Sequence, residues 1–217
     1  ADLLLWPESA LPVFYHELAA DLLIPLGHRV AEAGGTFLTG ALLYDFRRQA
    51  LYNALLAPSH GLEAAYFKRH LVLFGEYIPF GLLDVLGEFL IVTAFNATPG
   101  QGPNLIEVND LKLGASICFE VVFGEEVIDA LPTATLLINV SNDAWFGRSI
   151  GPKQHLEIAR MRALETGRPL VRATNNGITA MIDAQGRIQS RLPAFAAGVL
   201  RDEIQPHVGA TPYVRWG

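Results

Sequence analysis

Apolar residues in this chain come in short runs, and that spacing constrains the fold more than any other feature. Leu3-Leu4-Leu5 and Leu136-Leu137-Ile138 each end within a few residues at a polar or turn-forming side chain. Even the most apolar stretch, Phe89 to Phe95, falls far short of the ~18 residues that a membrane-crossing helix needs. Short runs rich in Leu, Ile, Val and aromatics read as strands. Strands are expected at Asp2 to Trp6, Thr36 to Leu43, Leu51 to Pro58, Glu63 to Phe67, Leu105 to Val108 and Lys112 to Ile117. More are expected at Thr135 to Val140, Leu170 to Thr174, Ile178 to Ile182, Ile188 to Arg191 and Val199 to Glu203. Helical spacing covers Tyr15 to Ala33, closed by Gly34-Gly35, then Glu125 to Leu131 and Gln154 to Thr166. In the last, Leu156, Ala159, Ala163 and Leu164 fall near one face, and Gly167 and Pro169 stop it. Turn chemistry stands at Ser59-His60-Gly61, Asn109-Asp110, Asn175-Asn176-Gly177 and Asp183 to Gly186. Residues 69–104 read as irregular. Alternating strands and helices imply an α/β layered fold. The hairpins imply mixed rather than purely parallel sheets.

Composition narrows the function. The 217 residues fit one large domain. Charged residues make up 18%, below the usual ~25%, and the mean hydropathy is +0.28. A net charge of −6 argues against a nucleic-acid partner, which calls for a basic field. The single cysteine, Cys118, leaves no intramolecular disulfide and no cysteine metal cluster. The six histidines, at 16, 28, 60, 70, 155 and 207, do not reach metal-ligand spacing, so no metal site and no cofactor are expected. Both ends read as cuts, so the chain is expected to be a piece of a longer protein.

Reactive side chains recur where strands end, which is where ligands sit in α/β sheets. Glu8 follows the first strand, Lys68 follows Ala64 to Phe67, and Cys118 follows Leu113 to Ile117. Asn139, Ser141, Asn142 and Asp143 follow Leu136-Leu137-Ile138. A thiol, a carboxylate and an ammonium form a coherent set for acyl transfer. The carboxylate takes the thiol proton as the thiol attacks a carbonyl, and the ammonium stabilises the oxyanion. Each residue also has a plainer explanation. Cys118 fits a small buried hydrophobe, Glu8 a carboxylate in a first helical turn, and Lys68 a solvated basic patch with Arg69 and His70.

The words around these residues carry a resemblance. Trp6-Pro7-Glu8-Ser9-Ala10, Lys68-Arg69-His70-Leu71 and Ser116-Ile117-Cys118-Phe119-Glu120 resemble the glutamate, lysine and cysteine motifs of the nitrilase (carbon–nitrogen hydrolase) superfamily. Phe74-Gly75-Glu76-Tyr77-Ile78-Pro79-Phe80, Asn139 to Gly147, Gln154 to Thr179 and Thr211 to Gly217 resemble its bacterial apolipoprotein N-acyltransferase branch. The likeness spans the whole chain.

The resemblance implies an αββα sandwich with mixed sheets, lacking its first strand and helix, as one partial catalytic domain over residues 1–217. It implies Glu8 as general base, Lys68 as oxyanion stabiliser and Cys118 as nucleophile. Glu76 would orient Lys68, and Glu120 would orient the site or its acceptor amine. Trp145 and Arg168 match positions near the lipid site, with a core aromatic and a helix-end cation as their plainer roles. Phe119 stands where tyrosine is common, so a role needing that hydroxyl is missing. Leu73 replaces a usual proline.

The implied partners are a phospholipid acyl donor and a diacylglyceryl-cysteine apolipoprotein acceptor. The implied location is the periplasmic face of the bacterial inner membrane. Attachment would come from spans outside the chain and from apolar loop residues Leu82, Leu83, Val85, Leu86, Phe89 and Leu90. Two rivals stand beside this expectation: a soluble nitrilase-type amidase using water as acceptor, and a catalytically inactive lipid- or protein-binding module.

Overall fold

A computed structural model describes residues 2–73, 75–77 and 96–217. The apolar loop residues from Leu82 to Leu90 lie outside the described residues, as does the Phe89 to Phe95 stretch. Among the described residues, ten strands form two mixed sheets. The first holds β1 (Asp2–Leu5), β2 (Gly35–Asp45), β3 (Ala50–Leu56) and β4 (Ala65–Phe67), in that spatial order. The second runs β10-β9-β8-β7-β6-β5, from β5 (Leu105–Val108), β6 (Leu111–Ile117), β7 (Leu136–Ser141), β8 (Leu170–Thr174), β9 (Ala180–Ile182) and β10 (Ile188–Arg191). Parallel pairs join β1 to β2, β6 to β7 and β7 to β8; the others are antiparallel.

The two sheets face each other. Leu38, Leu55 and Tyr66 of the first pack with Ile106, Leu113, Ile117, Ile138 and Val140 of the second. Side chains alternate along a strand, so Leu137 of β7 points the other way. It joins Leu156, Ala159 and Ala163 of the Gly151–Thr166 helix on the outer face. β7 is buried along its whole length, as a central parallel strand covered on both faces should be. Tyr15 packs on Leu43, Ala54 and Leu56, so helical residues cover the outer face of the first sheet. The layers are therefore helix, sheet, sheet, helix. Among the described residues, no helix is long and apolar enough to cross a membrane.

Several expected boundaries shift for physical reasons. The helix expected from Tyr15 to Ala33 is Tyr15–Leu18, a π-helical turn Ala19–Leu23, and Ile24–Glu32. Pro25 has no N–H and clashes with the preceding turn, and a wider turn absorbs that conflict. The turn expected at Ser59-His60-Gly61 widens into a 3₁₀ stretch, Pro58–Ala64, with Gly61 at φ 65°. Val199 to Glu203 is not a strand: Val199 is 86% exposed, and no side of the segment is buried to anchor a register. The Gly151–Thr166 helix begins ahead of Gln154 because Pro152 fits a first turn. Leu164 is 49% exposed, off the buried stripe it was expected to share.

Candidate active site

The carboxyl ends of β1, β4, β6 and β7 converge on one cavity of about 870 Å³. Glu8, Lys68, Glu76, Cys118, Phe119 and Trp145 line it together with Asn53 and Asn142.

Glu8 is set by a close approach. Trp6 N–H donates to Leu38 O, and Gly40 N–H to Pro7 O. A Cβ on Gly40 would lie 2.5 Å from Pro7 O and 2.6 Å from Glu8 Cα, so only glycine lets the chain pass. The Glu8 carboxylate then accepts from Asn53 Nδ2 at 2.7 Å and from Asn142 N–H at 2.6 Å. The Asn175 amide donates to Glu8 O at 2.8 Å, fixing the backbone as well.

Lys68 leaves β4 with its N–H donating to Asn53 O. Its ammonium is 1% exposed, 2.7 Å from Glu76 Oε2 and 3.6 Å from Glu8 Oε1. Burial alone would lower its pKa, but Glu8, Cys118 and Glu76 more than offset this and hold it above its ordinary value. One Asn53 amide nitrogen donates to both Glu8 and Glu76, each at 2.7 Å. It spaces two carboxylates that would otherwise repel. Glu76 also accepts from Val72 N–H. An ammonium has three donors, so with one on Glu76 and one turned to Glu8, a third remains for a bound oxygen.

Cys118 opens a 3₁₀ turn, Cys118–Val122, directly after β6. Its φ of 55° is left-handed, a strained value for a residue with a Cβ. Neighbours hold it there. Its carbonyl accepts from Asn139 Nδ2 at 3.3 Å and His155 Nε2 at 3.0 Å. Glu120 Oε2 accepts Ile117 N–H just before it. Burial and the Glu8 charge push the thiol up to about 12, against Lys68 and the Ser141 hydroxyl, which lower it. The resting site thus holds a protonated thiol beside a carboxylate. Iodoacetamide labelling of Cys118 should therefore keep rising from pH 8 to 10. A plateau near 8.5, the value of a free thiol, would contradict this.

The other expected residues divide. Glu120 faces the protein. It accepts from Tyr66 Oη, Arg69 N–H and His70 N–H, tying the Lys68 segment to the Cys118 turn. Burial raises its pKa against those donors. Phe119 and Trp145 are 40% and 71% exposed on the cavity wall. Arg168 does not line the cavity. It sits before β8, at the opposite end of the sheet, with its guanidinium on the carbonyls of Ala134, Pro132 and Gly209. It caps the carbonyl of buried Ala134 and ties the loops at Pro132 and Gly209 to the start of β8. Asn53, Asn175 and His155 escaped the sequence reading. Asn53 interrupts an apolar strand, and His155 lies four residues before Ala159 on a buried stripe. Both are polar residues at core positions.

Fold and site together define a class: a four-layer sandwich of two mixed sheets, with a carboxylate, an ammonium and a thiol gathered at the strand ends. The chain belongs to the carbon–nitrogen hydrolase family, whose model matches residues 1–213. A carbon–nitrogen hydrolase from Helicobacter pylori G27 superposes with a TM-score of 0.66 at 14% identity, over 89% of this chain and 74% of that one. The chain is 43% identical to an apolipoprotein N-acyltransferase of Methylococcus capsulatus, over 99% of this chain and 43% of that protein. It is 44% identical to one of Nitrosomonas europaea, over 99% of this chain and 44% of that protein. It therefore spans less than half the length of these relatives.

Proposed function

We propose that the domain transfers an acyl chain from a phospholipid to the terminal amine of a diacylglyceryl-cysteine lipoprotein, through a thioester on Cys118. The observation that carries this is the convergence of Glu8, Lys68 and Cys118 on one largely apolar cavity wall. The relatives' name supports acyl transfer to an apolipoprotein amine.

Glu8 takes the thiol proton as Sγ attacks the ester carbonyl. Lys68 meets the oxyanion with its free N–H, in a buried setting where such a contact is strong. The ester C–O bond breaks, and the leaving lysophospholipid alkoxide takes the proton from Glu8. The neutral amine then attacks the thioester and loses a proton to Glu8. The C–S bond breaks, an amide leaves, and Glu8 returns the proton to sulfur. One carboxylate serves as base and acid in turn. Glu76 holds Lys68, and Asn53 holds both carboxylates.

Leu11, Val13, Phe14, Val72, Phe119 and Trp145 give the cavity walls suited to acyl chains. The domain works at the periplasmic face of the bacterial inner membrane. The test uses the full-length protein in detergent. Given a defined phosphatidylethanolamine and a diacylglyceryl-cysteine lipopeptide, it should yield N-acylated lipopeptide and lysophospholipid in equal amounts. Hydrolysis of small amides with no lipopeptide acylation would instead mark an amidase. No turnover and no thiol labelling would mark an inactive binding module.

A further inference from the structure

Behind Cys118 lies a buried polar cluster that the acyl-transfer steps do not consume. His155 comes from the Gly151–Thr166 helix, Asp143 from the turn after β7, and Arg172 from β8; they are 4%, 1% and 0% exposed. His155 Nε2 lies 3.0 Å from Cys118 O. Its Nδ1 lies 3.0 Å from Asp143 Oδ1 and 3.0 Å from an Arg172 guanidinium nitrogen. That same guanidinium nitrogen reaches both Asp143 oxygens, at 2.9 and 3.1 Å. Ser141 Oγ donates to Asp143 at 2.7 Å. A Cβ on Gly177 would fall 2.0 Å from Asp143 Oδ2, so the neighbouring loop leaves room for this carboxylate.

Buried charges of this kind contribute little net stability compared with apolar packing. Their geometry fits another purpose. A carbonyl only accepts, so the His155 nitrogen facing Cys118 O carries a proton. Burial raises the Asp143 carboxyl, but His155, Arg172 and Ser141 together hold it down at about 2, so it is ionised. When Nδ1 is bare, it accepts from Arg172. When Nδ1 is protonated, it donates to Asp143. Either way the Nε2–H stays on the carbonyl of the strained residue.

We infer that His155 is a positioning residue for Cys118. Asp143 and Arg172 hold its ring in the Nε2–H form, and that N–H fixes the carbonyl of the left-handed turn that aims the thiol into the cavity. The inference rests on Cys118 being the nucleophile.

The test compares the full-length parent with His155→Leu and His155→Gln, using a phosphatidylethanolamine of defined acyl chain and mass spectrometry of the Cys118 adduct. The Leu variant should form the acyl-enzyme roughly 10- to 100-fold more slowly, with the donor KM within about twofold. The Gln variant keeps an N–H at the Nε2 position and should recover most of the rate. If the Leu variant does not fold, His155→Asn, too short to reach the carbonyl, replaces it with the same expectation. A Leu (or Asn) rate within twofold of the parent, or a folded Gln variant as slow as Leu, would overturn the inference. A parent with no Cys118 adduct would overturn the nucleophile assignment and this inference with it. Failure of the His155 role alone would leave the parent adduct intact.

Discussion

Lys68→Met is expected to cost the protein activity and stability together. The ammonium is buried, with Glu76 at 2.7 Å and Glu8 at 3.6 Å, and Asn53 alone would remain between the two carboxylates. Removing one partner of a buried ion cluster costs about 3–5 kcal/mol. Loss of the oxyanion contact should lower the acylation rate by at least about 10²- to 10³-fold. The pH dependence gives this a signature. In the parent, Lys68 sits above its ordinary 10.5, so its contribution is complete below that pH and fades as pH rises beyond it. The gap between parent and variant should therefore close in strong alkali. Thermal melts across pH check this. A variant as stable as the parent at pH 7 would mean that the cluster is not held by this cation.

Cys118→Ala should separate the two: little change in stability and nearly complete loss of turnover. The thiol is small, and its removal orphans no buried charge. The backbone contacts that hold the left-handed turn, from Asn139, His155 and Glu120, involve no sulfur. Loss of a nucleophile lowers turnover on the order of 10⁴-fold or more. Lipopeptide acylation, followed as lysophospholipid release, measures it. Residual turnover above about one percent of the parent would point to another nucleophile.

The gathering of Glu8, Lys68 and Cys118 at one cavity was legible because each ends a short apolar run, and in α/β sheets that is where side chains meet a ligand. What holds the set in place was not. Asn53 reaches Glu8 across 45 positions, and Asn142 N–H reaches it across 134. No local pattern encodes such contacts. Arg168 is the opposite case. The resemblance placed it near the lipid site, and the fold sets its guanidinium on the carbonyls of Ala134 and Gly209, away from the described cavity wall. Val199 to Glu203 has strand-like neighbours in sequence but no sheet face to bury. The layering itself was readable, because β7 is a short apolar run buried along its whole length and the Gly151–Thr166 helix turns Leu156, Ala159 and Ala163 to one buried side.

An acyl group is expected to rest on Cys118 between donor and acceptor. Intact-mass and peptide mass spectrometry of the full-length protein, incubated with a phospholipid of defined chain and no lipopeptide, tests it directly. A mass gain of one acyl group is expected, on the peptide that contains Cys118, and it should disappear when the lipopeptide amine is added. An acyl adduct on any other residue, or one that persists in Cys118→Ala, would contradict it.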